Sequence, residues 1–367
     1  MFYFNFAKSC LSVVQLRLSY IFILCFLLIM SCGGDSDSQS EPNQQPNSKI
    51  YNRSDLKGTW ILKGNSSTMA VVSFDNQATT WTTSDGKSTY YNGGTYNLVE
   101  YIIDGNNFVF NGYFRGGYDF NGSKLSLDTP TYYNPTKNVN DGITSNIPKQ
   151  SFFCNELTID NLNDSELKIS LGEVFFIGTR NTEYTSSYVS ENVGKNDFVD
   201  LGLSVNWAKC NIGASKAEEF GYYVGWADPN GDKTSKNNDD YPTSTNIPTT
   251  ICGTEYDIAT KKWGDKWRLP TFKELQELAY GCIQEKVSFN GIAGTKYTGI
   301  TGKSIFLPRS GKRIGTEITG QGYDHFYWSG EKYSWNNNCA WGDFSGSLGG
   351  WYAERYTGCS VRAVCNK

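Results

Sequence analysis

The sequence predicts a mainly β N-terminal domain built as an up-and-down barrel, followed by an α+β domain. Three observations predict this. Short strand-like runs separated by explicit turn chemistry fill residues 52–180. A polar Ser/Thr/Asn bridge at 181–196 breaks that pattern. Beyond it, residues 197–367 begin with two helix-start signatures and end in a long strand-and-loop half. Two domains is also the natural prior for 367 residues. The 24 Tyr, 21 Phe and 10 Trp suit pleated surfaces, on which aromatic side chains pack well.

Residues 1–31 carry Lys8 and Arg17, no acid, and an apolar run from Tyr20 to Met30. A positive flank, a short apolar core and a small residue before the cut form the pattern of a signal peptide. The run is shorter than the ~20 residues a membrane-spanning helix needs. Ile29-Met30-Ser31-Cys32-Gly33 resembles the lipobox of bacterial lipoproteins. That resemblance implies cleavage before Cys32, acylation of its thiol, and attachment to the outer membrane at the cell surface. Residues 32–51 are polar, contain Pro42 and Pro46, and read as a flexible tether. Asp35 and Asp37 fit either the acidic tag of surface-exposed lipoproteins or a plain solvated spacer.

Removing residues 1–31 takes away two positive charges, so the formal charge moves from −4 to −6. This mild acidity gives no electrostatic footprint for nucleic acid. Seven cysteines lie beyond Cys32, six of them from Cys210 to Cys365 and one, Cys154, in the first domain. In an exported chain, the six are expected to be disulfide-bonded or buried thiols. No CxxC pair suggests zinc or thioredoxin-like chemistry.

In the first domain, Ser84-Asp85-Gly86 and Ile103-Asp104-Gly105-Asn106 each separate two alternating runs, a strong hairpin signal. Further runs follow at 124–127, 152–159, 166–169 and 173–177. Leu56-Lys57-Gly58-Thr59-Trp60 and Phe176-Ile177-Gly178-Thr179-Arg180 resemble the lipocalin-like domains of secreted bacterial proteins. The resemblance implies that Trp60 opens the first strand and plugs one barrel end.

In the second domain, Ser215-Lys216-Ala217-Glu218 has capping-box spacing and predicts a short helix. Thr271 and Glu274 form a second box, with Leu275, Leu278 and Ala279 on one face and Gly281 placed to end the helix. The blocks Val199–Ala214, Gly253–Ala259, Trp263–Thr271, Ser304–Pro308, Tyr327–Ser329 and Ser360–Val364 resemble the Fibrobacter succinogenes major paralogous domain. That family implies a C-type-lectin-like fold, related to the sulfatase-modifying factors, with long loops forming the binding surface. It also implies adjacent first and last strands, and hence a Cys210–Cys365 bridge. The polar bridge between the domains suggests that they fold independently.

Most catalytic chemistry finds no support. His325 is the only histidine, which leaves triads and His-rich metal sites without material, and its setting reads as surface or loop. Thr301-Gly302-Lys303-Ser304 imitates the end of a P-loop, but Tyr297 stands where the first glycine belongs. No catalytic constellation is identifiable, so a binding protein is expected rather than an enzyme. A glycan- or protein-modifying enzyme of the envelope and a structural component of a surface assembly are the alternatives. Asp228, Asn230, Asp232 and Asp239 are faintly spaced like a calcium loop, without its turn glycine or final glutamate; no other cofactor is suggested. Residues 333–356 hold three Trp and three Tyr among Asn, Ser and Gly, the composition of binding loops. Trp335, Asn337, Trp351, Tyr352 and Arg355 are the candidate contacts for an extracellular glycan or protein ligand.

Overall fold

In the computed structural model, the described residues are 49–82, 86–133, 152–182, 197–242, 247–336, 339–344 and 351–367. The leader, Cys32, most of the tether, residues 183–196 of the bridge, and Asn337 lie outside them, as do the side chains of Cys154 and Trp351.

Eight antiparallel strands close the predicted barrel. They are β1 (Gly58–Gly64), β2 (Thr68–Phe74), β5 (Gly94–Asp104), β6 (Asn107–Phe120), β7 (Lys124–Tyr133), β8 (Glu156–Leu162), β9 (Glu166–Leu171) and β10 (Val174–Arg180). β1 pairs with both β2 and β10, which seals the cylinder, and β3 (Thr79–Thr82) and β4 (Ser88–Tyr91) form a hairpin between β2 and β5. Gly105 takes φ 60° in the β5–β6 turn, the conformation that the Asp-Gly signal calls for. Phe152–Cys154 is a single 3-10 turn rather than the start of a strand. Its rings pack on Phe176 from the end of the barrel wall.

Strand alternation turns Leu62, Val72, Leu98, Phe114, Leu125 and Ile169 into an interior filled by side chains. Trp60 is fully buried at one end, its indole N–H donating 2.8 Å to the Leu56 carbonyl. The Arg180 guanidinium lies 4.1 Å from the centre of the Trp60 ring and donates to the Asp55 and Lys57 carbonyls. The end strand therefore clamps the turn of α1 (Arg53–Leu56) onto its own plug. This closed barrel is compatible with the lipocalin-like expectation.

The barrel's outer wall is apolar as well on one side. Val71, Val99, Tyr101 and Tyr113 face outward and form one buried cluster with Tyr280, Ile283 and Ile300 of the second domain. The Tyr101 hydroxyl donates 2.5 Å to the Gly281 carbonyl, and Asn181 Nδ2 donates 2.9 Å to Gly302. Residues 48–367 accordingly form one compact unit, and the expectation of independent halves is corrected. The bridge composition misled because it says nothing about the surfaces on either side of it.

The second domain opens with β11 (Phe198–Val199) and β12 (Val205–Ala208) and closes with β21 (Val364–Asn366), which pairs antiparallel with β12. Two helices, α2 (Ile258–Trp263) and α3 (Phe272–Gly281), follow. α3 starts on the predicted box: the Thr271 hydroxyl accepts from Glu274 N, and Glu274 accepts from Thr271 N. α2 starts on Asp257, whose carboxylate accepts from Ala259 N and Thr260 N. The helix expected at Ser215 is absent. Its carboxylate comes from Glu219, not Glu218, and accepts from Ser215 N and Lys216 N within a turn. Three strands then pair in order, β13 (Ile283–Phe289), β14 (Ile292–Thr298) and β15 (Ser304–Pro308), followed by the hairpin β16 (Lys312–Ile314) and β17 (Glu317–Thr319).

Arg362 ties these parts together at 1% exposure. It donates to the Ala208, Lys209 and Phe306 carbonyls at 3.2, 3.0 and 2.8 Å, and to Asn211 Oδ1 at 2.9 Å.

The six cysteines from Cys210 to Cys365 are free thiols, which corrects the expected Cys210–Cys365 bridge. The strand register explains why. Cys365 stands opposite Asn206, and the pairing continues with Ala208 N bonding the Ala363 carbonyl and Ile212 N the Val361 carbonyl. Cys210 therefore lies along the strand near 361–363, whereas a disulfide needs Cα atoms within about 7 Å. Burial pushes the Cys282 and Cys359 thiols well above their ordinary range, the state of structural rather than reactive cysteines.

Candidate functional site

The last sheet consists of β18 (Phe326–Lys332), β19 (Cys339–Phe344) and β20 (Trp351–Glu354), in that order. Alternation along β19 divides its residues between two environments. Ala340 joins the core around Trp226, Trp267 and Trp328, with Ala353 packed against it. Trp341 pairs in register with Tyr352 on the other face, and Cys339 with Glu354.

That second face carries a connected set of rings. Phe272, the first residue of α3, stacks on Trp341 with centroids 4.5 Å apart and planes 18° apart. Tyr333, one residue past β18, stacks on Tyr352 at 4.1 Å and 12°. Tyr333 also meets the Trp341 ring almost perpendicularly at 4.7 Å. Trp335 closes the series, 6.0 Å from Tyr333. A tight turn holds it there, with Tyr333 N bonded to the Cys339 carbonyl and Cys339 N to that of Asn336. Stacked and edge-to-face pairs each contribute ~0.5–1.5 kcal/mol beyond burial. The rings thus fix one another while part of the set stays wet. Trp335 is 88% exposed and Tyr352 40%.

Four charged groups near the rings are engaged within the protein. Arg268 meets Glu274 through two bonds of 2.7 and 2.8 Å. Glu331 accepts the Phe272 backbone N–H, and burial raises its carboxyl above the ordinary range. Asn238 Nδ2 donates to Glu354.

Of the predicted contacts, Trp335 and Tyr352 sit together on this face. Arg355 does not, which is a correction: it is 2% exposed and turned inward, donating to the Pro242 and Asn238 carbonyls. An arginine at the end of an aromatic-rich run reads like a surface contact, but here it straps a loop. Sequence reasoning missed Phe272, Tyr333 and Trp341 as members of the set. Their only signals were the helix-start position of Phe272 and the 333–356 aromatic run.

The calcium reading is also corrected. Asp228 is buried, its two oxygens taken up by Asn230 N at 3.3 Å and Lys233 N at 3.0 Å. Asn230, Asp232 and Asp239 point to solvent. Among the described residues no group of three or more His, Cys, Asp or Glu is placed to hold a metal. His325, expected on the surface, is 2% exposed, with Nε2 3.3 Å from Asp343 Oδ2. Asp343 lies on β19 and His325 immediately before β18, both beneath the surface.

Among the described residues no helix is long and apolar enough to cross a membrane. A scan against protein-family models, a search of the curated proteins and a search of the solved structures each found no match to this chain.

Proposed function

We propose that this protein is a surface-exposed lipoprotein whose lectin-like second domain recognises an extracellular glycan or protein through the aromatic face of β18–β20. The observation that carries the reading is the exposure of Trp335 and Tyr352 within a set of rings that hold one another in place. Rigid aromatics presented to water lose little entropy on binding, and exposed aromatic patches mark interaction surfaces. A Trp335→Ala, Tyr352→Ala double variant of residues 49–367 should still melt cooperatively, a few degrees lower for the lost Tyr333–Tyr352 stack, and lose retention on immobilised glycans and extracellular proteins. Truncating a central anchor costs ~2 kcal/mol or more, about a 30-fold loss of affinity. Unchanged retention by the folded variant would sink the reading.

The anchor is the second part of the proposal, supported by the lipobox-like run ending in Cys32 after an apolar core. Cys32→Ser should abolish metabolic palmitate labelling and release the protein from the membrane fraction. Full labelling of that variant would remove the anchor from the proposal.

A further inference from the structure

The charges around the aromatic face narrow the chemistry of what it holds. Glu274 is spent on Arg268 and on the Thr271 N–H. Glu331 is spent on the Phe272 N–H, and Glu354 on the Asn238 amide. Arg355 faces the interior. The face offers a ligand the exposed rings of Trp335 and Tyr352, with the half-buried rings of Phe272 and Trp341 beside them.

We infer that this face binds a neutral polysaccharide by stacking sugar rings on Trp335 and Tyr352, without a metal ion. The inference rests on the recognition role proposed above and names its ligand class.

Three physical points carry it. A charged polymer brought onto half-buried rings must desolvate its ionic groups, and the guanidiniums of Arg268 and Arg355 are already held by Glu274 and by backbone carbonyls. An alkyl chain fits the rings but makes no use of the Tyr352 hydroxyl. A pyranose offers both halves of the match, an apolar face of C–H groups and a rim of hydroxyls. The rings pack as a cluster in which Tyr333, Trp341 and Tyr352 each meet the other two, with Phe272 stacked on Trp341 and Trp335 set against Tyr333. The two exposed rings, Trp335 and Tyr352, both border the buried Tyr333, which places two stacking faces within reach of one sugar chain. Independence from metal is expected because, among the described residues, no group of three or more His, Cys, Asp or Glu is placed to hold an ion.

The test is affinity electrophoresis of residues 49–367 through gels containing laminarin, xylan, galactomannan or hydroxyethyl cellulose, with alginate and heparin as anionic controls. Retardation by at least one neutral polymer is expected, unchanged by EDTA and reduced at least tenfold in both Trp335→Ala and Tyr352→Ala, each still melting cooperatively and Tyr352→Ala a few degrees lower. Three results overturn the inference: no retardation by any neutral polymer, retardation by the anionic gels alone, or loss of retardation in EDTA. A parallel plate assay against immobilised fibronectin and collagen separates this inference from the broader reading. Protein binding abolished by the same two substitutions, with no polysaccharide retardation, leaves the aromatic face as the recognition site and overturns the sugar. Polysaccharide binding that both variants retain in full overturns the site itself.

Discussion

Arg362→Leu should abolish the native fold of the second domain. The side chain is 1% exposed and its guanidinium donates to three backbone carbonyls and to Asn211. Leucine keeps much of the volume and removes all four donors. Each buried acceptor left unpaired costs ~1–3 kcal/mol, so the sum rivals the ~5–15 kcal/mol that holds a whole protein together. Asn211 adds to the loss, since its own amide donates to the Phe220 carbonyl and the Tyr327 hydroxyl at 3.0 and 3.2 Å. Arg362→Lys should rescue only weakly, because an ammonium is a point donor and cannot span β12, the Phe306 strand and Asn211 at once. Circular dichroism and thermal melts of residues 49–367 decide the matter. A cooperative melt within a few degrees of the parent would show that these bonds do not hold the domain.

The second large effect concerns cutting the chain at the bridge. Residues 197–367 expressed alone should aggregate or bind a hydrophobic dye strongly, whereas residues 49–367 should melt cooperatively and stay monomeric. Excision uncovers Tyr280, Ile283 and Ile300, all at most 8% exposed in the intact unit, and strips the Gly281 carbonyl of the Tyr101 hydroxyl. Burial of such side chains contributes ~1.5–3 kcal/mol each. Gly281→Val in the full unit probes the same seam at a single atom. A Cβ there comes within 2.8 Å of the Tyr101 hydroxyl and of Leu203 Cδ2, so it should lower the melting temperature without any truncation. A soluble, dye-negative, cooperatively melting 197–367 fragment would overturn this view of the junction.

The barrel was legible in the sequence because its information is local. Asp104-Gly105 sets a hairpin, alternation assigns the interior, and Gly58-x-Trp60 marks the strand that carries the plug. α3 was legible for the same reason, since Thr271 and Glu274 are three residues apart and cap each other. The failures are non-local. Glu218 and Glu219 are neighbours in sequence, and only the course of the following turn decides which of them reaches Ser215. The Cys210–Cys365 expectation placed both residues near the paired end strands correctly, but the register separates them. Arg355 and Tyr352 are three residues apart in one aromatic-rich run, yet one is buried under the 238–242 loop and the other faces water. The aromatic set needed Phe272, 69 residues before its partner Trp341, and no spacing rule joins them.

The outer wall of the barrel has a consequence for how such a chain can be inherited. Val71, Val99, Tyr101 and Tyr113 are half of a joint whose other half lies more than 160 residues away in Tyr280, Ile283 and Ile300. A gene fusion that carried only the second half into a new protein would arrive with a raw apolar scar. A barrel left behind would keep the matching one. The segment that can be shuffled between genes is therefore the barrel and the second domain together.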